Sequence, residues 1–274
     1  MHTHLRLPFT FPGIITLLIT FSFFTEAQEI PFRHTVIDNN ASGHREVADI
    51  DLDGLNDIVA VNHDLQDRTR IVWYRYPSWD RNIVADLDGF QDFHLYRACD
   101  MEVADMDNDG DPDILGRIGL GNDEDGVTCW FEHPGEGNLS CATRWERHDV
   151  DATEYIKDFE VRDFNLDGMP DIAVRSNTRV YLYFRNGDSW EKKMMPVHHH
   201  EGMEAADLDG DGDQDLVLNG FWLENPADPW KDDWPEHNID RKWYTQHTGS
   251  WQDNNGKVTV ADMDLDGRPD AILA

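Results

Sequence analysis

The chain has 274 residues, 39% of them hydrophobic, which is enough for one large β domain or two small ones around a buried core. Its formal charge of -32, from 55 acidic against 23 basic residues, leaves no cationic face for nucleic acid or an anionic membrane surface. What the charge does therefore depends on where the acids sit.

Residues 1–27 begin weakly basic up to Arg6, run apolar from Leu7 to Phe24 and end in small residues around Thr25 and Ala27. This is the pattern of a secretory signal peptide cleaved after Ala27. Pro8 and Pro12 interrupt the run, and no basic stop follows, which argues against a membrane anchor. No Cys lies near the cleavage site, which argues against a lipoprotein. The mature chain, 28–274, has no second apolar run long enough to span a bilayer. It is expected to be secreted, extracellular or periplasmic, without membrane insertion.

Five segments then repeat: VADIDLDGLNDIVAV, VADMDNDGDPDILGR, VRDFNLDGMPDIAVR, AADLDGDGDQDLVLN and VADMDLDGRPDAILA. Their first aspartates, Asp49, Asp105, Asp163, Asp207 and Asp262, are spaced by 56, 58, 44 and 55 residues. A period of about 50 belongs to propellers and related arrays. Four units carry Glu three residues before that Asp, at Glu46, Glu102, Glu160 and Glu204; the fifth has Thr259.

Each loop is followed by an apolar strand and then an aromatic one: Val72-Trp73-Tyr74, Cys129-Trp130-Phe131, Tyr181-Leu182-Tyr183 and Phe221-Trp222-Leu223. A fourth strand opens at Trp79, Trp145, Trp190 or Trp234. Short apolar runs bounded by Gly, Pro, Asn and Asp are strand signals, and no amphipathic helix of convincing length is present. Four strands per unit predicts an all-β fold, a β-propeller of four-stranded blades, over residues 28–274.

Residues 31–37 match a fourth strand and are expected to close the ring onto the last blade. The chain stops at Ala274 inside the second strand of the fifth unit, so the reading is a truncated ring of about five blades; a five-bladed ring with one short blade is the alternative.

The loops predict metal. Carboxylates at alternate positions, a Gly at the bend and a further carboxylate folding back make the oxygen cage that a hard cation of calcium's size requires. The side-chain ligands are Asp49, Asp51, Asp53 and Asp57; Asp105, Asp107, Asp109 and Asp113; Asp163, Asn165, Asp167 and Asp171; Asp207, Asp209, Asp211 and Asp215; and Asp262, Asp264, Asp266 and Asp270. The residue after each Gly, at Leu55, Asp111, Met169, Asp213 and Arg268, would add its backbone carbonyl. An EF-hand is excluded, because the twelfth position is Ala60, Gly116, Val174, Leu218 or Leu273 rather than Glu and the flanks are strands. Clustered carboxylates repel one another unless a cation sits among them. A near-copy at 85–92 has Val84 at the first ligand position and reads as a turn with at most weak metal binding.

These five loops resemble FG-GAP/VCBS-type repeats, the calcium-loop propeller units of integrin α-subunit heads and many secreted bacterial proteins. The resemblance implies a propeller, commonly seven-bladed when complete, with calcium between the first and second strands of each blade. Asn165 is the one departure among the side-chain ligands.

The residues leading into each first strand are expected to lie at one mouth of the ring. They include His44, His94, Tyr96, Arg97, Asp100, Tyr155, Asp158, His198, His199, His200, Tyr244, His247 and Trp251, beside the recurrent Glu, which reads as a structural feature of the blade. Two functions follow. One is a binding module, a monomer, for carbohydrate or a protein partner, with aromatics stacking on sugar faces. The other is a polysaccharide lyase acting on uronate glycans, for which His94, Arg97, Tyr155, His199, Tyr244 and His247 are the candidate catalytic types. Some lyase families resemble such propellers; no nucleophile elbow, phosphate loop or zinc motif is present. Three cysteines remain: Cys129 and Cys141 could bridge across a hairpin and leave Cys99 over, or stay as thiols.

Overall fold

Alternation decides the architecture. In the computed structural model, which describes residues 34–39, 41–63, 69–86, 100–119, 125–135, 137–139, 144–199, 201–245 and 256–274, apolar residues alternate between two faces of each sheet. The first sheet comprises β1 (Ala41–Ala48), β2 (Asp57–His63), β3 (Thr69–Arg75) and β4 (Asp80–Asp86). The second is β5 (Glu102–Ala104), β6 (Asp113–Gly119), β7 (Asp125–Glu132) and β8 (Glu146–Glu154). The third is β9 (Asp158–Arg162), β10 (Asp171–Arg175), β11 (Arg179–Asn186) and β12 (Ser189–Pro196). The fourth is β13 (Met203–Ala206), β14 (Asp215–Leu218), β15 (Phe221–Leu223) and β16 (Glu236–Asn238). A pair, β17 (Val258–Ala261) and β18 (Asp270–Leu273), follows the single helical turn α1 (Lys242–Thr245). Every sheet is an antiparallel meander, so the protein is all-β with almost no helix.

The second strands of the third and fourth sheets are buried on both sides, which is why they read as unbroken apolar runs. All five residues of β10 are buried. Its Ile172 and Val174 pack with Met106, Leu115 and Trp130 of the second sheet region, whereas Ala173 joins Leu216, Leu218 and Phe221 of the fourth. The same alternation in β2 sends Val59 and Val61 to a core shared with Ile114, Cys129 and Phe131, and Ala60 to the opposite face with Val72 and Tyr74. Each consecutive pair among the four-stranded sheets thus shares one core. Their first strands also touch in order, β1 with β5, β5 with β9, β9 with β13 and β13 with β17. The described sheets do not close into a ring.

Several expectations need adjustment. Residues 34–37 carry no strand, and residues 31–33 lie outside the described set, as do the leader at 1–27, Cys99 and Cys141. Cys129 is buried in the core between the first two sheets. Ala85 and Asp86, the start of the near-copy, belong to strand β4 rather than to a turn, because Ala85 pairs with Ile71; 87–92 lie outside the described residues. No described helix is long and apolar enough to cross a membrane.

Candidate functional site

All five Asp-rich loops lie between the first and second strands of their sheets and share one backbone design. The first aspartate accepts two backbone N–H bonds from the far side of the turn: Asp49 from Asp53 (3.0 Å) and Gly54 (2.8 Å), Asp105 from Asp109 (3.0 Å) and Gly110 (3.0 Å), Asp163 from Asp167 (3.0 Å) and Gly168 (2.8 Å), Asp262 from Asp266 (3.0 Å) and Gly267 (2.9 Å). In the fourth loop the donors to Asp207 are Gly210 (2.7 Å) and Gly212 (3.1 Å). The fifth-position Asp then takes the N–H of the seventh residue: Leu55 to Asp53, Asp111 to Asp109, Met169 to Asp167, Asp213 to Asp211 and Arg268 to Asp266.

To wind this tightly, two residues per loop take the left-handed region. One is the sixth-position glycine, as at Gly54 (φ 86°) and Gly212 (φ 103°). The other, which sequence reasoning missed, is the fourth position: Leu52 (57°), Asn108 (63°), Leu166 (57°), Gly210 (83°) and Leu265 (62°). A leucine there costs about 1–2 kcal/mol, and these three leucines are solvent-exposed, so packing does not repay them. Such strain persists where the surroundings over-determine the backbone, a mark of functional loops.

The carboxylates converge. One oxygen each from Asp49, Asp51 and Asp53 lies within 4.8 Å of the others, and the same holds for Asp105, Asp107 and Asp113, for Asp207, Asp209 and Asp215, and for Asp262, Asp264 and Asp270. In the third loop Asn165 takes the third position, accepting from Asp167 N and donating to Asp167 Oδ2 (3.1 Å). Three buried oxygens in these loops, Asp51 Oδ1, Asp111 Oδ1 and Asp213 Oδ1, accept no hydrogen bond. Burial pushes the Asp213 carboxyl up to about 7, with the charges of Asp211 and Asp215 adding to it, and raises Asp107 and Asp111 as well. A hard, oxygen-seeking cation is the group that such a donor set fits.

The ninth-position aspartate binds backbone on both sides of its strand. Asp113 Oδ2 accepts Met106 N–H (2.8 Å) within the loop, and its Oδ1 accepts His133 N–H (2.7 Å) just beyond the end of β7. Asp171 does the same with Phe164 (3.1 Å) and Arg185 (2.9 Å), and Asp215 with Leu208 and Asn225 (2.9 Å each); Asp57 takes Tyr76 N–H (2.7 Å). Each is a buried clamp joining the loop and the second and third strands. Burial pushes Asp113 and Asp171 up to about 7, with the N–H donors pulling the other way.

Two clamp partners also reach across to the preceding sheet's loop. The Arg185 guanidinium donates to the Met106 carbonyl, and Asn225 Nδ2 donates to the Phe164 carbonyl (2.8 Å). Asn108 Nδ2 of the second loop likewise donates to Gly168 O of the third (2.7 Å).

At the first strands a cavity of about 300 Å³ is lined by Glu46, Asp100, Glu102, Asp158, Glu160 and Glu204, with Arg162 and Lys257 as cations. The recurrent Glu therefore gathers four sheets around one space. Burial, then the charge of Asp100, raises Glu46 to about 7 and Glu102 to about 8; burial, then Glu102, raises Glu160 to about 9. Carboxyls raised as far as those of Glu102 and Glu160 hold protons at neutral pH and can both donate and accept hydrogen bonds.

The expected mouth residues divide. Asp100 and Asp158 act as ties between sheets: Asp100 Oδ1 meets His44 Nδ1 (2.9 Å) and its Oδ2 accepts Phe159 N–H (3.2 Å), while Asp158 Oδ2 accepts Gly202 N–H (2.9 Å). His198 stacks on Tyr244 (4.4 Å between centroids) and meets Glu236 Oε1 (3.2 Å). Tyr244 itself is packed in the core, its hydroxyl donating to Asn238 (2.8 Å). Tyr155 has φ 52°, and His199 is half-buried beside His198. His94, Tyr96, Arg97, His200, His247 and Trp251 lie outside the described residues. Arg162 and Lys257 in the lining were missed, having no repeat to mark them.

Comparison with known proteins gives one family match: the profile described as "FG-GAP-like repeat" covers residues 163–218, from the first aspartate of the third loop to the end of β14. No curated protein matches the chain. Among solved structures, the biofilm matrix protein Bap1 of V. cholerae is similar at 18% identity and TM-score 0.46, over 86% of this chain and 35% of that one. A lectin of Agrocybe aegerita, titled for recognition of non-reducing terminal N-acetylglucosamine, aligns at 15% identity and TM-score 0.41, over 85% of this chain and 71% of that one. The Photorhabdus luminescens Tc holotoxin pore aligns at 15% identity and TM-score 0.40, over 87% of this chain and 11% of that one. The chain thus spans about a third of Bap1.

Proposed function

Taking residues 163–218 as an FG-GAP-like repeat whose design recurs in all five loops, we propose that this chain is a secreted, calcium-binding β-propeller segment that acts as a binding module for carbohydrate or protein ligands. The observation that carries the calcium reading is the convergence of carboxylate oxygens in four loops; in the first of them Asp51 Oδ1 is also buried and accepts no hydrogen bond. Calcium would be held by the first, third, fifth and ninth side chains and the seventh carbonyl of each loop, and would supply the positive charge those oxygens face. The propeller reading is supported by first strands touching in order and cores shared between consecutive sheets.

The ligand reading rests on the cavity. Its carboxyls, of which burial raises Glu102 and Glu160 furthest, offer donors and acceptors beside Arg162 and Lys257, the equipment for a polyhydroxyl or polar peptide ligand. Export rests on the leader of 27 residues.

The test is calorimetric titration of the full mature chain with calcium, followed by screening of the loaded protein on immobilised glycans. Uronate polysaccharides are included, with ultraviolet absorbance followed for unsaturated ends. No heat of calcium binding would overturn the module as stated, and unsaturated product would replace binding with elimination.

A further inference from the structure

We propose that Arg75 is a built-in competitor for the first metal loop, weakening calcium binding there; this rests on the calcium reading of the loops. Arg75 closes strand β3, and its Nε lies 2.5 Å from Asp51 Oδ2 while Nη2 lies 3.4 Å from Asp53 Oδ2. Both carboxylates belong to the first loop's oxygen set. The Asp51 side chain is 8% exposed and that of Arg75 is 49% exposed, so the cation reaches inward from the surface and has solvent to return to.

The other sheets show what is particular about this position. The residue that matches Arg75 precedes the one whose N–H enters the ninth-position clamp, and in the second, third and fourth sheets it is Glu132, Phe184 and Glu224. Glu132 adds negative charge near Asp107 of its own loop. The first loop therefore faces a cation where the second faces an anion. A metal entering the first loop must displace the guanidinium from, or share with it, the Asp51 carboxylate and the neighbouring Asp53. An ion pair as exposed as this one weakens the competing site by about two- to fivefold.

The experiment is calcium calorimetry on the full mature chain and on Arg75→Met. The expected result is that one class of sites tightens about two- to fivefold while the others keep their affinity, and that Arg75→Met has a smaller effect in an Asp51→Asn background, where only the Asp53 contact is left to remove. Unchanged or weakened binding in Arg75→Met, with the wild type still binding calcium, overturns the competitor role. Absence of calcium binding by the wild type fails the loop reading instead. A second measurement needs no variant: phenylglyoxal labelling of the wild type, read by peptide mass spectrometry, is expected to modify Arg75 several times faster in calcium than in chelator. Equal labelling in the two conditions overturns the proposal.

Discussion

Replacing Asp113 by Asn, compared with Asp109→Asn in chelator, tests the clamp apart from the proposed metal site. The carboxylate accepts Met106 N–H on one oxygen and His133 N–H on the other, at 2.8 and 2.7 Å, and is completely buried. An asparagine keeps one acceptor and turns an NH₂ toward the second N–H. The loss is one charge-assisted bond, about 1.5–3 kcal/mol, plus two buried donors facing each other at about 1–3 kcal/mol. A total of about 3–5 kcal/mol lowers the melting temperature by roughly 10 °C in a body of this size. The assay is thermal unfolding at pH 8 in chelator and in calcium, with Asp109→Asn as control, since Asp109 bonds only within the loop to Asp111 N–H (3.1 Å). Asp113→Asn should lower the melting temperature in both conditions, and Asp109→Asn in calcium alone. Equal melting of Asp113→Asn and wild type in chelator would refute the clamp.

Chelation of wild-type protein should lower its melting temperature by more than 10 °C, because each loop saturated at a hundred times its dissociation constant contributes about 2.7 kcal/mol; an unchanged melt refutes calcium in the loops. Glu160 holds its proton up to about 9, above its ordinary 4.5, so the folded state binds more protons across that interval. Its contribution is full below about pH 4.5 and is lost as pH rises through 9, at up to about 1.4 kcal/mol per unit. Glu160→Gln should therefore flatten the fall of stability between pH 5 and 9 in saturating calcium, and an unaltered slope by denaturant titration counts against it. Leu166→Asn, which copies Asn108 at the strained fourth position, should stabilise by about 0.5–1 kcal/mol in the same titration, because asparagine tolerates that region; destabilisation would show that the strain is not there.

The repeat made the sheets and loops legible: aspartate spacing placed each hairpin, and the apolar run after it is a strand buried on both faces, as β10 shows. The fourth-position leucines were not legible, because an exposed Leu at positive φ looks in sequence like any apolar residue before a glycine. The clamp was hidden for a different reason. Asp113 has the same side chain whether it ligates, staples strands or does both, and only the third strand's N–H distinguishes these roles. The recurrent Glu was visible as a pattern but not as a shared cavity, since convergence of Glu46, Glu102, Glu160 and Glu204 depends on how first strands meet. Arg75 carried no signal, because its meaning lies in the contrast with Glu132, Phe184 and Glu224 at matching places.

The side chains of Arg185 and Asn225 each hold a carbonyl belonging to the loop before their own, while their backbones hold the last aspartate of their own loop. Pulling on one loop thus tugs a strand end of the next sheet, and the second, third and fourth loops are lashed along a single edge. A load applied at any one of these loops would be spread over that lashing rather than concentrated in one hairpin.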